Sequence, residues 1–275
     1  DLSLNSELVT INFGPQHPSM HGVFRLRVTL DGETIVDLEP VFGYLHRGTE
    51  KLAEERTYVQ IVTLTDRLDY VASMSNNLAY VSAVEKLCNI EVPKRASYIR
   101  VIVAELQRIA SHLMATGFLL NDLGAFGTPL MYCFREREKI LDMFEILCGA
   151  RITLSYMRPG GIFQDTPDEF WSNLELFLQS MPNQVDELES LITGNEIVLS
   201  RTRDVGILTP EQVIDASLSG PMLRASRVKW DLRKANPYEI YDELDFDIPI
   251  GATGDTFDRY LIRIKEMRES LKIIT

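Results

Sequence analysis

Ala96-Ser-Tyr-Ile-Arg-Val-Ile-Val-Ala-Glu-Leu-Gln-Arg-Ile-Ala-Ser-His-Leu-Met-Ala-Thr-Gly-Phe-Leu-Leu-Asn121 decides the fold class. Apolar side chains recur along it at helical spacing and no proline interrupts it, so it reads as one long helix. Similar runs lie on either side. Glu50 to Thr65 and Arg67 to Cys88 precede it, with Pro93 as punctuation, and a run from about Pro129 to Leu154 follows. The last carries charges of both signs around Arg135-Glu-Arg-Glu-Lys139, spaced for pairing on a helix surface, and should end before Arg158-Pro-Gly-Gly161. Pro167 to Leu191 is acidic in its first turn, which suits the helix dipole. Pro182 should kink or split it. Thr256 to Ile274 is a final amphipathic helix.

Ahead of His46 the period changes. Residues 8–13 and 23–30 alternate apolar and polar positions, Asp31-Gly32 is a hairpin signal, and 34–42 resumes the strand pattern. Glu243 to Ile250 could return a strand to that sheet, at an edge because of Pro249. The expected architecture is α+β and predominantly helical: a small antiparallel β subdomain over 1–45 and a helical bundle over 46–275.

The chain's 275 residues, 45% hydrophobic and 25% charged, suffice for a full core. A net charge of -12 argues against nucleic acid, which is held by Lys and Arg stripes. Apolar stretches such as the one around Phe118, Leu119 and Leu120 stop short of the roughly 20 residues that cross a bilayer. Neither a signal peptide nor a transit peptide is visible, although the chain begins at Asp1. Cys88, Cys133 and Cys148 are widely separated in apolar helical patterns, which suits buried thiols in a reducing compartment. No CxxC occurs, so the chain lacks the simplest means of holding an iron–sulfur cluster or nickel.

Chemistry concentrates near the N-terminus. In Asn12-Phe-Gly-Pro-Gln-His-Pro-Ser-Met-His-Gly22 the glycines and prolines break regular structure, so His17 and His21 should be presented on a turn. Paired loop histidines suggest proton chemistry or a metal; a polar turn whose imidazoles only cap backbone groups is the plain alternative. Leu45-His-Arg-Gly-Thr-Glu-Lys51 and Asp66-Arg-Leu-Asp-Tyr70 follow at a distance. His46 reads as a helix-start cap and His112, on a helix face, as structural.

These segments, together with AVEKL, RASYIRV, AELQRIASHL, NDLGA, FREREK, GARI, YMRPGG and SGPMLRASRVKWDLRK, closely resemble the quinone-site subunit of complex I. It is called the D subunit, or the H subunit in plastids and cyanobacteria. The resemblance runs from about Val9 to Thr275, and members generally continue further, which implies a chain shortened at its C-terminus. The family is similar to the large subunit of nickel–iron hydrogenases, which implies that fold for the bundle. That relative carries Arg-x-Cys-x-x-Cys where this chain has Arg67 to Ala72, so Asp69 and Ala72 stand at the thiolate positions. One carboxylate and a methyl group do not replace soft thiolates, and no metal site is expected.

The resemblance implies that Tyr70 and His21 bind a quinone headgroup and donate protons. Quinone reduction adds two electrons and two protons, so a donor should already be hydrogen-bonded to oxygens that become basic. Asp122, in the NDLGA motif, would be the partner of His21, favouring the protonated ring and orienting it. His17 is a secondary proton-relay candidate. Arg47 would lie near the terminal iron–sulfur cluster of a neighbouring small subunit and raise its potential. Some relatives carry a histidine where this chain has Thr153, which puts a pH-dependent cluster potential in doubt. On the residues alone, Tyr70 reads more readily as a core tyrosine on a helix, Asp122 could be a helix terminator, and Arg47 reads equally as a salt-bridge partner of Glu50 or Glu54.

With no GxGxxG, Walker loop or flavin signature in the chain, electrons must come from another subunit. The resemblance therefore implies a peripheral-arm subunit of an NADH-quinone or ferredoxin-quinone oxidoreductase, an enzyme only when assembled. Quinone is its substrate, no cofactor is held by this chain alone, and NAD and iron–sulfur clusters reside in partners. Those partners are the cluster-bearing small subunit, other peripheral-arm subunits and the membrane arm, with the complex attached on the cytoplasmic, matrix or stromal face of its membrane. A membrane-bound hydrogenase-type complex and a catalytically silent scaffold subunit are the alternatives.

Overall fold

The computed structural model describes residues 8–15, 23–125 and 127–275. Contacts divide the chain into two compact units, Asp1–Glu55 and Arg56–Thr275. The boundary falls ten residues later than the change of sequence period places it.

In the first unit, β1 (Val9–Phe13), β2 (Arg25–Asp31) and β3 (Thr34–Val41) form an antiparallel sheet in the order β1-β2-β3. Val9 pairs with Leu30 and Phe13 with Leu26; Arg25 pairs with Val41 and Asp31 with Thr34. Gly32, at φ +61°, makes the tight turn between β2 and β3, a conformation that costs glycine no steric strain. A short helix, α1 (Thr49–Glu54), follows.

The second unit opens with α2 (Tyr58–Thr65). The single helix expected over Glu50 to Thr65 is therefore two. Thr57 is why: its backbone N–H donates to Gln60 Oε1 at 3.1 Å, a capping arrangement that starts a new helix. Next come α3 (Ser73–Cys88), α4 (Lys94–Asp122) and α5 (Thr128–Cys148). The last stops short of Leu154 because Gly149 takes the left-handed conformation, φ +70°, at its C-cap. A short β4 (Met157–Arg158) and β5 (Gly161–Ile162) pair antiparallel. Then follow α6 (Asp168–Ile192), α7 (Glu196–Thr202), α8 (Pro210–Asp215), α9 (Gly220–Ala225), α10 (Leu232–Ala235) and α11 (Thr256–Ile274).

α4 is the hub, packed by α5, α11 and α3. Val103, Leu106, Ile109 and Leu113 are fully buried on it. Gly117 lets α5 approach: a Cβ there would stand 2.9 Å from Leu130 Cδ1 and 3.3 Å from Cys133 Cβ. Pro182 lies inside α6 without splitting it, since buried Phe177, Met181, Val185 and Leu188 anchor both halves in the core.

Two further expectations fail. Residues 244–250 form no strand. Their alternation serves a different purpose: Phe246 is buried with Val101, Ile240, Tyr241 and Ile273, so the segment packs on helices instead of joining a ladder. Cys88 is exposed, whereas Cys133 is buried and Cys148 partly so; Cys88 ends α3, where the apolar stripe has run out.

Candidate functional site

Tyr70 does not lie on a helix. Residues 66–72 form a turn between α2 and α3, because polar side chains there offer the backbone a better alternative. Asp69 Oδ1 accepts from the Val71 N–H at 2.9 Å, and Ala72 N–H donates to the Asp69 carbonyl at 3.1 Å. The Ser73 hydroxyl sits 2.8 Å from the Asp66 carbonyl and 2.7 Å from that of Ile152. From α4, Gln107 Nε2 donates to the Val71 carbonyl at 2.7 Å. The turn is thus tied at both ends and in its middle. Leu68 and Tyr70 are its exposed large apolar side chains, and Tyr70, 43% exposed, makes no hydrogen bond among the described residues. The core-tyrosine alternative fails, and the phenol is presented.

Asp66, at the start of the turn, is buried. Burial raises its pKa, opposed by Arg67, which donates from Nη1 at 2.8 and 3.1 Å. Asp69, at one thiolate position, already uses Oδ1 for the backbone cap, and Ala72 has no donor atom. Among the described residues, no group of three or more His, Cys, Asp or Glu is placed to hold a metal ion.

Asp122 is the last residue of α4 and exposed. Gln107, Ser111, Met114, Phe118 and Asp122 are spaced to share one face of α4. The Tyr70 turn docks at Gln107, and Asp122 lies 15 residues further on, about 22 Å along the axis. One helix face carries both, at a separation too large for a direct hydrogen bond. Arg47 is exposed, one residue before the Gly48 N-cap of α1; Glu54 is paired with Lys51 at 2.8 Å. His17 and His21 lie outside the described residues.

His112 is structural, as its place on a helix face indicates. Its Nε2 lies 2.7 Å from Glu266 Oε2, and Arg224 donates to Glu266 Oε1 at 2.6 Å. Burial lowers the His112 pKa against the pull of Glu266. Sequence reading missed the larger network to which this pair belongs. Fully buried Glu105 accepts from Arg233 at 3.0 and 3.1 Å, Tyr241 at 2.6 Å, Ser270 at 2.6 Å and Arg108 at 3.1 Å. Burial pushes its carboxyl up, but Arg108 and Arg233 prevail and hold it at about 2. The sequence signal was the density of charge in Arg224 to Lys234, far from Glu105 along the chain.

The family described as respiratory-chain NADH dehydrogenase, 49 kDa subunit, matches residues 122–275. The D subunit of the NADH-quinone oxidoreductase of Dehalococcoides mccartyi is 59% identical over 273 residues, 99% of this chain and 74% of that protein. A D subunit from Roseiflexus sp. is 58% identical over 98% of this chain and 72% of its own length. The D subunit of Clostridium beijerinckii is 54% identical over 100% of this chain and 74% of its own length. With an exposed tyrosine turn on a helical bundle, a small antiparallel sheet before it, and identity of this order along nearly its whole length, the chain belongs to the family of D subunits of NADH-quinone oxidoreductases.

Proposed function

We propose that this chain forms the quinone headgroup pocket of a complex I type oxidoreductase, with Tyr70 and His21 as the groups that bind the quinone and supply its protons. The observation that carries the reading is the Tyr70 turn: three tethers hold it while the phenol faces outward, without a hydrogen bond among the described residues. Such a donor is already oriented when an acceptor oxygen arrives. Two electrons, passed from an iron–sulfur cluster of a neighbouring small subunit, and two protons convert the quinone to quinol. The phenol O–H donates to one ring oxygen and the His21 imidazole to the other, with Asp122 orienting that ring and His17 as a secondary relay.

Arg47 acts at a distance, toward the partner's cluster. NAD and the clusters belong to other peripheral-arm subunits, and the membrane arm meets this chain on the cytoplasmic side, or its organellar equivalent. No helix of the described residues is long and apolar enough to cross a membrane, which supports peripheral association.

Tyr70→Phe and His21→Ala in the assembled complex test the reading. Quinone-dependent turnover should fall by about two orders of magnitude, the scale of a lost general acid, while assembly persists. Full turnover in both variants would mean that the chain is only a scaffold. Asp122→Asn should weaken the coupling of quinone reduction to proton translocation; unchanged pumping excludes that role.

A further inference from the structure

Buried arginines in Arg56–Thr275 are mostly matched by carboxylates. Arg100 holds Glu85 at 2.6 Å, Arg224 holds Glu266 at 2.6 Å, and Arg233 holds Asp231 at 2.7 Å. Arg137 is different. Only 7% exposed, it forms no ion pair among the described residues, and its Nε is sealed from solvent without a hydrogen-bond partner. Its close associate is the Phe134 ring, 5.6 Å from the guanidinium carbon, and an aromatic face offsets little of a buried charge. A guanidinium does not shed its proton. The carboxylate that acts on it, Glu138, forms no ion pair with it and is itself paired with Arg151; a buried charge so weakly matched is costly, and its retention calls for a further negative group.

Its position indicates which group. The connection between α4 and α5 is short, so the two helices run antiparallel. Phe118 on α4 meets Phe134 on α5 edge to face, centroids 5.7 Å apart. One turn beyond Phe134, Arg137 lies about 4.5 Å further back along α4, level with Met114 and on the way to Gln107. Met114 belongs to the face of α4 that has the Tyr70 turn docked at one end and Asp122 at the other. Ser111 and Met114 on it are only partly covered among the described residues.

We propose that Arg137 is a further catalytic residue of quinone reduction, its guanidinium donating hydrogen bonds to the quinone oxygen that becomes negative. This rests on the reading of the chain as the quinone-site subunit. Each electron leaves the partner's cluster oxidised and puts charge on a ring oxygen before a proton reaches it. Tyr70 and His21 then supply the two protons, and both C=O groups end as C–O–H. Arg137 gives up no proton and forms no covalent bond; it holds the charge in the interval between electron and proton.

The test compares Arg137→Met, Arg137→Lys and Tyr70→Phe in the assembled complex. A second assay feeds the same electron donor to a hydrophilic artificial acceptor upstream of the quinone. Methionine fills the space without charge, and replacing a buried ion that has no structural counter-ion is tolerated or stabilising. The Met variant should therefore assemble at wild-type yield and keep the artificial-acceptor activity. Its quinone-dependent kcat should fall about 10²- to 10³-fold, as when an oxyanion-hole donor is removed. KM should stay within about twofold, because the charge exists only after electron transfer. The Lys variant should recover most of the loss.

The inference is overturned if Arg137→Met keeps its quinone kcat or raises KM alone. It is also overturned if that variant fails to assemble where Tyr70→Phe succeeds, since Arg137 would then be a structural ion partner. Loss in Tyr70→Phe with full activity in Arg137→Met removes only the role of Arg137. Full activity in both removes the quinone-site reading.

Discussion

Gln107 anchors the Tyr70 turn through one bond, from Nε2 to the Val71 carbonyl, while its own Oε1 is sealed without a partner. Gln107→Leu removes the tether and an unsatisfied acceptor together, so the two effects on stability oppose each other and the net should be within about 1 kcal/mol. The expected outcome is a melting temperature nearly unchanged in thermal denaturation and a clear loss of quinone turnover. A collapse in stability with turnover intact would show that the tether serves only folding. Glu105 and Glu266 yield a prediction in pH. Burial pushes both carboxyls up, yet their arginine and histidine partners hold each at about 2, below the ordinary 4.5. A depressed carboxylate contributes its full stability above the unfolded-state value and loses it as pH falls toward the folded-state value. Stability should therefore decline between pH 4.5 and about 2, and Glu105→Gln should flatten that decline. At neutral pH the same variant should cost about 3–5 kcal/mol, because Arg108 and Arg233 are left facing a neutral amide. Acid titration followed by circular dichroism checks both.

Helix boundaries followed capping chemistry more closely than apolar spacing. The break between α1 and α2 was legible in Thr57-x-x-Gln60, a capping box that the hydrophobic period obscures. Gln60→Ala should destabilise by about 0.5–1 kcal/mol, read as a lowered urea midpoint with unchanged slope. The turn before α3 was harder to see, since Leu68, Val71 and Met74 mimic a helical stripe; it needs Gln107, Ser73 and the Ile152 carbonyl to hold it, and two of these come from distant parts of the chain. By contrast α11 lies over Thr256–Ile274, as its amphipathic pattern indicates. α4 runs over Lys94–Asp122, extended slightly at both ends of the run quoted from the sequence.

The two units differ in how much they bury. In the sheet Val28 is fully covered, while Val9, Phe13, Ile35, Val36 and Leu38 remain largely exposed. The second unit carries a continuous core from Val62 to Ile274 centred on α4. Amide exchange should therefore be slowest in α4 and faster throughout β1, β2 and β3; equal protection of sheet and bundle would contradict this account. Local patterning was enough for the class of fold, the three strands of the first unit, the long helices α4, α6 and α11, and the hairpin at Gly32. Each of those depends on residues near one another in the chain. The presentation of Tyr70, the matching of Glu105 by Arg233, the packing of Phe246 onto helices and the weakly matched charge of Arg137 depend on which distant groups meet. Burial and electrostatics act through space, so these features took form only when α3, α5 and α11 closed around α4.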